Sequence, residues 1–447
     1  IYHETCHNYQ LNAKGSDISK GLHSVLGNGS VFVPWFTVPN IVESSFLLEG
    51  NAVLNESWHG NGGRLYSGRF KAATLQQAKA GYLTAERVYN SNYYFLYGSH
   101  FYTLGGYYQY YLAENYGLEA TNNYWQTLSK NWLWPFTTSN ATRDSIGIDF
   151  HTAFDGWRAE MEALAENLAD VEGDAIATTQ FFSPMNADSD QIYFIINESG
   201  RGFPELVIYD RSSGKMVKDA ASYAAGKVIR LADGRYVTQA GLKTSPWRIH
   251  MGLFDEDAMI IDGTQSKIVE GFLTDGSEVY FDVPASYDQP QLYVGDAFYA
   301  RTNSSVIIDG DDLYYFAQGE GKSRTMYRNR EALFTIQGYY SYPSGVDSRG
   351  AVYFIANTEH GSGLFRFYDG RLSRAHQADT IFDARLIDDD SALVAVMGAD
   401  EYSYKRIELS DIDEAPDEVV LFVEDQPYYR AADPALHPQQ IPDITLD

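Results

Sequence analysis

The chain carries its strongest chemical signal in its first residues. His3-Glu4-Thr5-Cys6-His7 is an H-E-x-x-H pattern. On a helix, residues four apart share a face, so both imidazoles can reach one zinc ion. Glu4, between them, is then placed as general base toward a water polarised by the metal. Cys6 falls on the other side of such a helix and reads as a packing residue. A hydrolytic zinc site needs a third protein ligand and an open fourth position for water.

A resemblance supplies the third ligand. The run Phe46-Leu47-Leu48-Glu49-Gly50, followed by Ala52 and Glu56, resembles the second zinc helix of the gluzincin peptidases. The resemblance implies that Glu49 completes a His-His-Glu zinc set. Glu56 lies seven residues on, two turns along the same face, where it fits the place of a carboxylate that orients a ligand histidine. The likeness continues to about Trp157 through HETCHNYQ, PNIVESSFLLEGNAVLNES, GNGGRLYSGRFKA and YFLYGSHFYTLGGYYQYYLAENYG. These segments resemble the MA-like zinc peptidase domain that precedes TolB-like propellers in bacterial cell-envelope proteins. The last segment is similar to that family's Tyr-Gly helix, which implies a tyrosine donating to the oxyanion of a tetrahedral intermediate. Tyr97, directly before Gly98, and Tyr94, one turn earlier, are the candidates. In the family a further subdomain precedes the H-E-x-x-H helix. It is absent from this sequence, so the chain is expected to lack an upstream part.

Other reactive residues have plainer readings. His59 and His100 read as loop or helix-start residues. Arg64 and Arg69 read as solvated ion pairs. Asp309-Gly310-Asp311-Asp312 lacks the downstream glutamate of a calcium loop and reads as a hairpin turn. There is no G-x-S-x-G, no P-loop and no dinucleotide-binding fingerprint.

Composition and period describe the elements that must hold the site. The 447 residues suffice for two or three domains. With 33 basic and 60 acidic side chains the net charge is −27, which argues against a nucleic acid or anionic membrane as partner. The single cysteine excludes intrachain disulfides and cysteine-rich zinc sites. No apolar run reaches the roughly 18 residues of a membrane-spanning helix.

The charge is uneven. Residues 1–172 hold 10 basic and 16 acidic side chains, net −6; residues 173–447 hold 23 and 44, net −21. The first part reads as helical. Leu112 to Tyr116 closes an aromatic helix stopped by Gly117, and Trp157, Met161, Leu164 and Leu168 form the apolar stripe of a helix over 156–170. The second part alternates β-branched and aromatic runs with Asp-Gly turns. Its aligned runs centre on Tyr193, Tyr236, Tyr280, Tyr315, Tyr353 and Val394, at gaps of 43, 44, 35, 38 and 41. Strand-only units repeating about every 40 residues mark propeller blades, here six.

The expected fold is therefore multidomain α and β. A mainly helical zinc peptidase-like part spans 1–172, an all-β six-bladed TolB-like propeller spans 173–425, and an extended linker spans 426–447. In related envelope proteins such a linker leads to an outer-membrane β-barrel. The resemblance implies a zinc metallopeptidase of the periplasm or outer membrane, acting on a peptide or protein. The propeller would serve as a gating or protein-interaction domain. The alternative is a non-catalytic cell-envelope binding protein whose propeller docks a partner and whose peptidase part is a scaffold.

Overall fold

A computed structural model describes residues 2–27, 29, 39–58, 62–131, 137–220, 226–245, 248–255, 257, 259–282, 290–319 and 322–417. His59 and the linker expected over 426–447 lie outside the described residues. The helices are α1 (Tyr2–Asn12), α2 (Asp17–Leu26), α3 (Ser45–Ser57), α4 (Gly68–Lys79), α5 (Ala85–Tyr89), α6 (Ser99–Tyr116), α7 (Leu118–Leu128), α8 (Thr138–Ile146) and α9 (Phe150–Ala165). Two compact units emerge. The first takes residues up to Tyr66 and from Gly105 to Phe150; the second takes Ser67–Leu104 and His151–Val419.

In the first unit, α1 packs on α3. Ser44 caps α3, its hydroxyl accepting from the Leu47 N–H at 3.4 Å. α3 crosses the Gly105–Tyr116 part of α6 with backbones in contact. A Cβ on Gly50 would lie 2.4 Å from the Gly105 carbonyl, and one on Gly105 would lie 2.4 Å from the Phe46 carbonyl oxygen. Only glycine permits that approach, and it pins the helix turn bearing Glu49. α6 ends at Tyr116, and Gly117 follows with φ of 90°.

In the second unit, six sheets form the expected six-bladed propeller. After β1 (Ala177–Thr179), blade one is β2 (Asn186–Ala187), β3 (Gln191–Ile196), β4 (Glu205–Asp210) and β5 (Met216–Ala220). Blade two is β6 (Lys227–Arg230), β7 (Tyr236–Ser245) and β8 (Arg248–Phe254), three strands among the described residues. Blade three is β9 (Lys267–Phe272), β10 (Glu278–Asp282), β11 (Gln291–Val294) and β12 (Ala297–Arg301). Blade four is β13 (Ile307–Asp309), β14 (Asp312–Gln318), β15 (Ser323–Arg328) and β16 (Glu331–Gln337). Blade five is β17 (Tyr342–Val346), β18 (Val352–Asn357), β19 (Ser362–Tyr368) and β20 (Arg371–Arg374). Blade six is β21 (Ile381–Leu386), β22 (Ser391–Met397) and β23 (Tyr402–Glu408), completed by β1, whose Ala177 faces Tyr404. The residues read from the repeat all fall on the second strand of their blade. Asp309 pairs with Asp312 across a two-residue hairpin turn, as its sequence suggests.

Helix α4 belongs to this second unit and lies on blades five and six. The Gly68 N–H donates to Asn357 Oδ1 at 2.8 Å, and Gln77 Nε2 donates to the Ala399 carbonyl at 2.5 Å. A Cβ on Gly68 would sit 1.9 Å from the Gly361 oxygen, so no other residue fits. Arg69 is not a solvated ion pair. Its guanidinium lies 4.7 Å from the Phe382 ring centre and 4.9 Å from that of Phe182, and it donates to the Tyr402 hydroxyl. The helix over 156–170 starts earlier and stops earlier than its apolar stripe, at Phe150 and Ala165. Trp157 and Met161 are buried in it, and Leu168 is buried just beyond its end.

Candidate metal centre

α1 presents His3, His7 and Gln10 toward α3. His3 Nε2 and His7 Nε2 lie 3.2 Å apart, and Glu49 Oε2 lies 3.1 Å from the first and 3.0 Å from the second. Among the described residues this is the cluster whose ligand atoms converge as a metal site requires. Ligands about 2.0–2.1 Å from a tetrahedral zinc stand about 3.3 Å from one another, so the triangle is close to the size that zinc demands.

The hydrogen bonds behind the triangle decide which atoms face it. Trp125 Nε1 can only donate, and it donates to Asn51 Oδ1 at 2.9 Å. Gln10 Nε2 donates to that same oxygen and to the Leu48 carbonyl, each at 3.0 Å. A carbonyl can only accept, so the other end of the Gln10 amide, Oε1, must be what faces His7 Nδ1 at 2.9 Å. His7 Nδ1 therefore carries a proton, and a neutral ring so held would turn the Nε2 lone pair to the triangle. On His3, Nδ1 stands 3.1 Å from Glu56 Oε2. Nε2 of the same ring faces the Glu49 carboxylate, so a metal bound at Nε2 would leave the ring proton on Nδ1, toward Glu56. Glu56 is fixed in turn by the Arg64 N–H at 3.0 Å and the Arg64 side chain at 3.3 Å. Three potential ligand atoms thus crowd one point, and such a triangle is stable only around positive charge, a proton or a metal ion.

The titration tendencies agree. Burial alone would lower the His3 pKa, but hydrogen bonds to Glu49 and Glu56 raise it to about 9. Burial works against the Glu49 carboxylate, yet the His3 hydrogen bond and the charges of His7 and His3 hold it below the usual range. Without a metal, the cluster takes up a proton as its cation. The residues present fit zinc: two imidazoles, each with a polar partner at Nδ1 that leaves Nε2 toward the metal point, and one carboxylate.

Glu4 is exposed on α1. Its carboxylate has no hydrogen bond or ion pair among the described residues. Cys6 is buried against Asn51, and burial pushes its thiol up to about 12, which leaves it inert as a ligand. Tyr97 and Tyr94 belong to the second unit and have partners there. The Tyr97 hydroxyl donates to Gln180 Oε1 at 2.8 Å and its ring stacks on Phe181, while the Arg87 guanidinium covers the Tyr94 ring at 4.3 Å. His100, at the start of α6, is fully buried with Nδ1 3.0 Å from the Tyr97 carbonyl. Gln10 and Asn51 were not anticipated from sequence. Gln10 does stand three residues after His7, on the same helix face, which is the signal that could have found it.

No sequence-family profile matches the chain, and no curated protein matches it. Solved structures with some likeness include BBS1N in complex with ARL6DN, at 9% identity and a TM-score of 0.32, covering 56% of this chain and 99% of that one. A prolyl endopeptidase structure has 10% identity and a TM-score of 0.31, covering 57% and 44%. TolB from Acinetobacter baumannii has 12% identity and a TM-score of 0.21, covering 54% and 55%. At such scores these likenesses carry no inference about this chain.

Proposed function

We propose that the chain is a zinc-dependent peptidase whose metal is held by His3, His7 and Glu49. The observation that carries this reading is the convergence of His3 Nε2, His7 Nε2 and Glu49 Oε2 at 3.0–3.2 Å, with Gln10 behind the His7 ring and Glu56 behind the His3 ring. A bound zinc ion would supply Lewis acidity toward a scissile carbonyl and acidify the attacking water. Glu4 would take the proton of that water and return it to the leaving amine. Gln10 and Glu56 would hold the two rings so that Nε2 stays free to ligate. Tyr97 or Tyr94 as oxyanion donor rests on the sequence resemblance alone, as does placement in the bacterial envelope. No helix among the described residues is long and apolar enough to cross a membrane.

The test is paired. Zinc per chain is measured by elemental analysis, and hydrolysis is followed on a quenched fluorescent peptide library. The parent should hold about one zinc and cleave peptides, and Glu4→Gln should keep the metal while losing roughly 100- to 10,000-fold in rate. Zinc binding with no hydrolysis in the parent would leave a metal-stabilised scaffold and end the peptidase reading.

A further inference from the structure

A second polar site lies in the propeller, away from the residues assigned above. The innermost strands β2, β6, β9, β13, β17 and β21 surround a cavity of about 750 Å³. That is within the range of small-molecule sites, about 300–1,000 Å³. Its wall includes the turns joining first to second strands, at Asp188-Ser189, Gly234, Leu273-Thr274 and Asp309-Gly310. It therefore lies toward that end of the ring. The turns joining second to third strands, which seat α4, are at the opposite end, because successive strands are antiparallel.

Two residues of this wall are incompletely satisfied. Arg385 on β21 has a side chain only 6% exposed. Its Nη1 donates to Asp383 Oδ1 at 2.8 Å and to the Ala384 carbonyl at 2.6 Å, while Nε has no partner. Nη2 makes no hydrogen bond either among the described residues. Ser344 sits at the bulge of β17, 1% exposed, and its hydroxyl is also without a partner. The two strands are neighbours. A Cβ on Gly345 would touch Leu386 at 3.2 Å. Burying an unspent donor is costly, more so for a charged group, so two in one wall need a reason.

The surrounding charge supplies one. Asp383 is already held by the Met185 and Ala384 N–H groups. Arg211 reaches the Ile387 carbonyl at 3.1 Å, and Arg230 pairs with Asp188 at 2.9 Å. The cavity is lined by three guanidinium groups, Arg211, Arg230 and Arg385, and three carboxylates, Asp188, Glu270 and Asp309, of which Asp188 is taken by Arg230 and Glu270 by Lys227. The free Nε–Nη2 edge of an arginine matches the two oxygens of a planar carboxylate.

We propose that the axial cavity of the propeller binds a small carboxylate-bearing ligand, held by the Nε–Nη2 edge of Arg385 and the hydroxyl of Ser344. The site stands independently of the metal centre. Calorimetric titration of the full chain with succinate tests it, with inorganic phosphate as competitor, in buffer stripped of free metal on a chelating resin so that no carboxylate chelator competes. Saturable succinate binding is expected, tighter than phosphate. Ser344→Ala should weaken it about fivefold. Arg385→Lys, which keeps the charge and loses the fork, should weaken it about thirtyfold. Ser344→Ala removes one oxygen and should melt with the parent, so it decides the matter even where Arg385→Lys fails to fold. No saturable binding, phosphate binding more tightly than succinate, or unchanged affinity in Ser344→Ala would each overturn the proposal.

Discussion

The metal centre and the propeller cavity are both polar clusters in largely buried settings, yet they are satisfied in opposite senses. Around His3, His7 and Glu49, acceptors stand behind the rings, Gln10 Oε1 and Glu56 Oε2 at the Nδ1 atoms, and the Nε2 atoms and a carboxylate oxygen converge inward. Around Arg385 and Ser344, the partners behind are acceptors that take only part of the donor capacity, and N–H and O–H groups are left over. The first arrangement suits the cation proposed for it and the second the proposed anion. What distinguishes the sites is not residue polarity but which valences the supporting residues leave unspent.

Substitutions that change the leftover valences should break this contrast. The largest effect is expected from Glu49→Gln, which turns one ligand oxygen into an amide. If structural zinc sites gain about 10–16 kcal/mol from four ligands, one ligand is worth roughly 3 kcal/mol, and zinc affinity should fall on the order of 100- to 1,000-fold. Competition with a chromophoric chelator measures it. Affinity within a factor of three of the parent would remove Glu49 from the site. Gln10→Leu touches no ligand but frees His7 to rotate and change tautomer. It should cost about 10- to 100-fold in zinc affinity, whereas a purely packing role would leave affinity untouched and alter only the melting temperature.

His100 sharpens the comparison from outside both clusters. Burial pushes its pKa down to about 4, from 6.5 in an unfolded chain. Between these values the unfolded state binds the proton and the native state does not. The contribution of His100 is thus complete above pH 6.5 and is lost as pH falls through 4, worth up to roughly 3 kcal/mol. Urea unfolding at pH 7 and pH 4.5 should show this loss, and His100→Gln should reduce it. An equally steep acid limb in the variant would assign the loss to other groups. The smallest effect is expected from Trp125→Phe. Asn51 Oδ1 would lose one donor but keep Gln10, so stability should fall by about 1 kcal/mol and zinc affinity only slightly. A loss of zinc as large as in Gln10→Leu would mean that the indole, not the glutamine, sets the His7 tautomer.

The legible part of the molecule was whatever sequence spacing encodes. His3 and His7 are one helical turn apart, so their convergence could be read directly. Tyr193, Tyr236, Tyr280, Tyr315, Tyr353 and Val394 recur near every 40 residues because each blade repeats one strand pattern, and the six sheets follow. Glu49 was reachable only through resemblance, since nothing in its local pattern ties it to residues more than forty positions away. The roles of Gln10 and Asn51 were not legible, because an amide has no fixed valence until its neighbours determine which end donates. Nor was the seat of α4 on blades five and six, which depends on the bare backbone of Gly68 meeting Gly361. The site at Arg385 and Ser344 had no signature at all. Both are ordinary strand residues, and only their shared place in the cavity wall, with donors unspent, sets them apart.

The seam of the ring has a consequence for how the chain is made. β1 pairs with β23 through Ala177 and Tyr404, a separation of 227 residues. Blades one to five are each contiguous in the chain and can assemble in turn as they leave the ribosome. Blade six cannot, because its outer strand is synthesised first and its other three strands last. Until Tyr402–Glu408 emerges, β1 is a short strand without a partner. Closing so long a loop is entropically costly and slow, so closure of the ring at this seam should be the slowest step in folding of the propeller.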